Sequence, residues 1–262
     1  MIRYLRLYGY FLQFSFSKAF EFRIDFYFRI LMDVVYYIMN LLFFKVIFLH
    51  SKYLAGWSES QVMIFVGAFI VVDALNMTVF ANNSWNVAQL VNRGDLDYYL
   101  VRPVSTFFFV SLRDFAANSF VNLIMAVSIL VWAFMKYPEP IGLLRTLLFG
   151  LLVLNGSLLY FLVLMLFIIP VFWTHSARGL QPLFWTTSKF MERPHAIYSR
   201  VVRWVLMTIM PFALMASVPA SVLFAPNPWA ITLGSLLVTV AFMSLVLFIW
   251  SLGLRNYSSA SS

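Results

Sequence analysis

Apolar residues run along this chain in blocks too long for the interior of a water-soluble domain, separated by short polar stretches. A helix needs about 20 consecutive apolar residues to cross a hydrocarbon core. Six blocks reach or approach that length: Phe26–Leu49, Gln61–Ala81, Thr106–Met135, Ile141–Trp173, Val201–Val218 and Trp229–Leu252. The fourth is long enough to tilt or run past the membrane. The fifth is short and carries Pro211. Residues 1–24 are patterned differently. Arg3, Arg6, Tyr10, Gln13, Ser17 and Glu21 recur at steps of three and four, with Leu5, Leu12, Phe16, Ala19 and Phe20 on another face. That spacing predicts an amphipathic helix in the membrane interface, its arginines toward headgroups. Charge interrupts its apolar part and no small-residue cleavage site follows, so it does not read as a signal peptide. The expected fold is an all-α integral membrane protein in one domain over residues 1–262. It comprises an interfacial helix (1–24), a bundle of six transmembrane helices (26–252) and a tail (253–262).

Composition sharpens this picture. Of the 262 residues 63% are hydrophobic and 11% charged; soluble domains run near 45–50% and 25%. The solvent is therefore lipid. The absence of cysteine excludes disulfides, thiolate metal sites and cysteine nucleophiles. Of the 18 lysines and arginines, only Lys45, Lys52, Lys136 and Arg145 fall on the side opposite the N-terminus if all six blocks cross. The bias of basic residues toward one side predicts that both termini are cytoplasmic. In a membrane protein a net charge of +8 reads first as topology and contact with anionic headgroups. No aromatic-basic module points to nucleic acid.

Candidate chemistry is sparse. Lys18, Lys45, Lys52, Lys136 and Lys189 all lack a following Ser or Thr, so no Walker-type phosphate loop is present. Neither a zinc-protease helix nor a serine-hydrolase elbow occurs. The chain is thus not expected to be an enzyme, nor to hold a cofactor or metal. His50, His175 and His195 read as edge or loop residues. Inside the blocks lie Asp33, Asp73, Asn76, Arg113, Asp114, Asn118 and Asn122. Ionisable groups in a membrane are costly and default to functional hypotheses. Their alternative use is helix-to-helix bonding, for which Asn118 and Asn122 are spaced i, i+4. Asp73 is the deepest carboxylate and has no partner nearby in sequence.

Two stretches are strongly punctuated. In "NRGDLDYYLVRPVS", residues 92–105, Gly94 permits a chain reversal. Asp95 suits an N-cap and Asp97 the positive end of a helix. Leu96, Tyr99 and Leu100 share a face, Arg102 suits the C-terminal end, and Pro103 stops the turn. The expectation is a short capped helix whose apolar face docks a cytosolic partner or lies on headgroups. From within the fifth block to the start of the sixth, Pro211, Pro219, Pro226 and Pro228 break an otherwise apolar run. Irregular backbone at membrane depth needs protein cover or a watery cavity. The run reads either as a re-entrant outer segment or as a kinked helix end with an apolar loop.

"GDLDYYLVRPVS" resembles the G-x-L-D-x-x-L-x-R-P-hydrophobic signature between the second and third spans of ABC-2-type transporter permeases. "ERPHAIYSRVVRWVLMTIMPFALMASVPASVLF" is similar to the family's later R-P-x-x-I-Y…P…P-A segment, as is the Phe172–Trp173 pair ending the fourth block. The resemblance implies the membrane half of an ATP-driven exporter in the bacterial cytoplasmic membrane. Two cytosolic ATPase subunits, holding ATP and Mg²⁺, would pair with this permease chain and a second, identical or homologous one. It assigns ATPase coupling to Gly94, Asp95, Leu96, Asp97, Leu100, Arg102 and Pro103, with Tyr99 on the same short helix. Apolar and aromatic lining would suit an amphipathic or lipid-like substrate. Rival expectations are an ion-coupled transporter built on Asp73 and a non-transporting membrane scaffold.

Overall fold

The computed structural model describes residues 2–19, 23–176 and 180–258. The molecule is all-helical, with no strand among the described residues. Among the described residues four helices are long and apolar enough to cross a membrane, and a fifth, shorter one is strongly apolar. We call the end bearing residues 51–58 the upper end, and the end bearing residues 94–105 the lower end.

Helix α1 (Ile2–Ala19) precedes α2 (Arg23–His50). Residues 20–22, including Glu21 and Phe20 of the predicted amphipathic pattern, lie outside the described residues, as do the side chains of Phe16 and Ala19. The face of α1 that packs on protein carries Tyr4, Phe11 and Ser15, whereas Leu5 is 66% exposed. Most of α2 is exposed along its length.

The centre of the molecule is α3 (Glu59–Val79). It begins at a capping box: Ser58 Oγ accepts from the Gln61 N–H at 3.4 Å, and Gln61 Oε1 accepts from the Ser58 N–H at 3.0 Å. Being apolar all round, it is buried all round. After a kink at Phe80 the helix resumes as α4 (Ala81–Arg93), an amphipathic extension toward the lower end. The short α5 (Asp97–Leu100) follows.

The third predicted span is not one helix. It divides into α6 (Thr106–Leu112) and α7 (Phe120–Met135), joined by irregular backbone and a 3-10 turn, Ala117–Ser119. The reason lies in neighbouring groups that satisfy the broken backbone. Asn83 clamps Asp114, taking its N–H on Oδ1 at 2.8 Å and giving Nδ2 to its carbonyl at 2.9 Å. The Phe115 N–H donates to Ser15 Oγ at 3.2 Å, and the Ala116 N–H donates to the Thr78 carbonyl at 2.8 Å. Backbone groups taken out of a helix inside the protein need such partners.

Helix α8 (Leu143–Ile168) descends from the upper end and continues through Pro170 into α9 (Val171–Thr174). Phe172 there packs on Trp250 at 5.3 Å and Tyr257 at 6.2 Å. The chain then climbs by an unexpected route. Helix α10 (Gln181–Ser188) puts Phe184 against Tyr160 and Phe167 of α8. A 3-10 turn, Lys189–Glu192, follows, and the Arg193 guanidinium sits 3.9 Å from the Phe43 ring centre in α2. His195 reaches Trp57 of the upper loop, with ring centres 6.4 Å apart.

The fifth predicted span, Val201–Val218, is therefore corrected. It forms most of a hairpin that leaves the upper end and returns to it. Helix α11 (Arg200–Thr208) forms the first leg, and Pro211 breaks the helix at the tip, where Phe212 meets Phe184. The second leg, through α12 (Ser217–Val222), rises along α8. A Cβ on Gly156 would collide with the Met215 carbonyl, so only glycine allows this close approach. Higher up, Arg145 Nη1 donates to the Leu223 carbonyl at 2.8 Å. From Gly156 to Arg145 the helix advances about 16 Å, a large part of the half-membrane depth. Pro219 falls in the first turn of α12, where a missing N–H costs little. Pro226 and Pro228 open α13 (Pro228–Asn256), capped by Asn227 Oδ1 on the Ala230 N–H at 3.3 Å. Arg193 and Arg203 consequently join the upper end, because Arg203 Nη2 donates to the carbonyls of Ala196 (2.8 Å) and Tyr198 (3.2 Å) beside His195. The one-sided distribution of basic residues is weaker than the six-block reading makes it.

Candidate functional site

The punctuated stretch at the lower end is held from several directions. Gly94 ends α4 in the left-handed region, at φ 78°, which favours glycine. Its N–H returns to the Val91 carbonyl at 3.3 Å, and the Leu96 N–H reaches Leu90 at 3.2 Å. The reversal is therefore closed by backbone bonds before α5 begins. Asp95 is not the N-cap. That position falls to Leu96, which makes no side-chain cap bond, so Asp95 stays in the turn. Asp97 opens the helix. At the far end the Arg102 N–H donates to Tyr99 (3.4 Å), and its Nε donates to the Tyr98 carbonyl (3.2 Å). The guanidinium lies 4.9 Å from the Phe109 ring centre. Pro103 sits in a tight turn, with the Val104 N–H on the Arg102 carbonyl at 2.8 Å.

The faces of this helix are distributed otherwise than the sequence predicts. Leu96 and Tyr99 point inward and are buried. The Tyr99 ring packs on Phe109 at 5.3 Å, and its hydroxyl accepts a hydrogen bond from Arg113 Nη1. The outward apolar edge is Tyr98 (71% exposed), Leu100 (40%) and Val101 (83%). Only Leu100 of the predicted face is in it. With barely more than one turn, inward anchoring rather than heptad-like spacing decides which side chains emerge.

Helices α1 and α13 brace the stretch. Tyr4 Oη accepts from the Ser105 N–H at 3.3 Å, and its ring meets Phe108 edge-on at 4.8 Å. The buried Tyr257 hydroxyl lies beside Asp97 and Asp95. Burial first, and then those carboxylates, push it up to about 12.

Of the intramembrane polar residues, Arg113 and Asp114 lie beside this stretch; Asp33, Asp73, Asn76 and Asn122 lie elsewhere. Asn122 Nδ2 donates to Asp33, joining α7 to α2, and Asn122 Oδ1 has no partner among the described residues. The Asn118 side chain lies outside the described residues. Asp73 faces Asp33, the tyrosines Tyr36, Tyr37 and Tyr160, and Glu192, without a hydrogen bond or ion pair among the described residues. Asn76, one turn on, keeps Nδ2 unbonded. Glu192 was not singled out in the sequence, because its neighbours look like a loop. The Ser217 contact with His195 was also missed: the His195 N–H donates to Ser217 Oγ at 2.9 Å, tying the climbing segment to the hairpin. Among the described residues no three His, Asp or Glu side chains gather as a metal ion requires.

A family model described as an ABC-2 family transporter protein matches residues 34–261. No curated protein and no solved structure matches.

Proposed function

Because the chain belongs to the ABC-2 transporter family, we propose that it is the permease of an ATP-driven exporter and that residues 94–103 receive the push of a separate cytosolic ATPase. The observation that supports this reading is the two-sided build of α5. Tyr98, Leu100 and Val101 are offered outward, while Leu96 and Tyr99 are locked into the bundle. A surface meant to transmit force needs both a docking edge and a stiff connection behind it. Here the connection runs from Tyr99 to Arg113, beside the Asn83 clamp and the start of α7. ATP and Mg²⁺ belong to the partner ATPase pair. A second permease, identical or homologous, completes the pathway. The substrate class is amphipathic or lipid-like, and residues 94–103 and both termini face the cytoplasm of a bacterial cell.

Binding of the ATPases to one conformation over another supplies the energy difference that drives the cycle. The test is co-purification in mild detergent with the ATPase encoded beside this chain. Val101→Asp should leave insertion intact and strip the ATPase, since a charge placed on an apolar interface core costs several-fold to hundred-fold in affinity, about 1–3 kcal/mol. Full retention of the ATPase and of transport-linked hydrolysis in that variant would overturn the assignment.

A further inference from the structure

A pocket of about 360 Å³ lies beside the coupling stretch, between α1, α4 and the irregular backbone before α7. Its lining is polar and of both signs. Arg93 and Arg113 stand with Asp95 and Asp114, and the amides of Asn86 and Gln89 complete the wall. These charges do not neutralise one another by contact. Arg113 bonds to Tyr99, while Arg93, Asp95 and Asp114 make no side-chain hydrogen bond or ion pair among the described residues. The backbone of Asp114 is clamped by Asn83, so its carboxylate is held at the pocket without being used.

Depth identifies what reaches it. Helix α3, with 21 residues, already advances about 30 Å, the thickness of a hydrocarbon core. The pocket lines α4, which starts where that span ends, and so lies at the level of the lower headgroups. Trp85, 40% exposed near the start of α4, is placed as interfacial tryptophans are. Phe14 of α1, 65% exposed, stands at the pocket and gives a glycerol-acyl junction an apolar edge.

We infer that this pocket binds the headgroup of a zwitterionic aminophospholipid, with its phosphate on Arg93 and Arg113 and its ammonium on Asp95 and Asp114. Two cations and two anions around one volume fit a ligand carrying one of each. A purely anionic headgroup would leave the carboxylates unmatched, and a choline headgroup has no N–H to give them. The bound lipid would tie α1 to α4 next to the stretch that meets the ATPase. The site does not depend on transport, and its test reads lipid rather than export.

The full chain is purified into nanodiscs of equal phosphatidylethanolamine, phosphatidylcholine and phosphatidylglycerol, and the lipid retained after detergent extraction is measured by native mass spectrometry. Phosphatidylethanolamine should be enriched. Asp114→Asn should remove its preference over phosphatidylcholine, and Arg93→Gln should lower retention of both. Each drop should be roughly tenfold or more, as the loss of one charge-assisted hydrogen bond implies. Neither side chain is bonded among the described residues, so thermal unfolding should be unchanged. Asp95→Asn repeats the carboxylate test should Asp114→Asn unfold. Retention in the bulk ratio, or retention that ignores all three substitutions, would overturn the inference. So would loss of ATPase binding with lipid unchanged, which would make the pocket a protein-docking site.

Discussion

Two side chains carry opposite burdens. Tyr99 is bonded on its hydroxyl and packed on its ring, and it is the only link from α5 to Arg113 among the described side-chain hydrogen bonds. Tyr99→Phe keeps the ring packing and deletes that bond. ATPase association should survive, while substrate moved per ATP hydrolysed falls severalfold in proteoliposomes; unchanged coupling would show that the link transmits nothing. Asp73 has no such partner among the described residues. A half-buried carboxylate in a membrane span without a hydrogen bond is a liability unless it is used. Asp73→Asn should raise the thermal unfolding midpoint, because about 1–3 kcal/mol of desolvation is relieved, and should leave ATP-driven export in place. Loss of export together with loss of ion dependence would instead favour the ion-coupled reading. The sequence marks Asp73 by its depth and its lack of a partner nearby in sequence. It could not show that Glu192, far along the chain, shares its surroundings.

At the scale of elements, the hairpin is the informative case. Val201–Val218 is as apolar as a spanning helix, yet its second leg is covered by protein: Phe212 and Met215 are buried, whereas Val201, Trp204 and Ile209 of the first leg are exposed. Hydropathy does not distinguish a residue in lipid from one in a protein core, and this is why that block was read as a crossing. The climbing segment failed the same measure in the other direction. Thr186, Thr187, Ser188, Lys189 and Glu192 dilute it, although the three hydroxyls are spent on backbone carbonyls. By contrast, the Gly94 reversal is legible in the sequence, being local. The hairpin's seat makes a sharp prediction. Gly156→Ala puts a methyl into the Met215 carbonyl and should cost about 1–3 kcal/mol as overpacking. Gly150→Ala, with open space around it, should be neutral or slightly stabilising. Thermal unfolding of the two purified variants decides. Equal midpoints would mean the second leg does not lie on α8.

For the whole molecule, the route of residues 181–224 fixes how the two faces of the membrane are assigned. If Val201–Val218 crossed, Ser199 would share a side with Ser105. In the structure Ser199 follows His195, which lies at Trp57, and Ser105 lies at the other end beside Tyr4. The chain has no cysteine, so single cysteines report without background. Ser51→Cys and Ser199→Cys should be labelled by a membrane-impermeant maleimide from one side of sealed vesicles, and Ser105→Cys from the other. The distinction matters for function. A hairpin entering from the side opposite α5 would leave the ATPase-facing and substrate-releasing ends structurally separate, joined through α3 and α8, the most buried of the four long apolar helices. Labelling of Ser199→Cys from the same side as Ser105→Cys would restore the simple crossing. It would also return Arg193 and Arg203 to the α5 side and remove the hairpin from any role at the far end of the pathway.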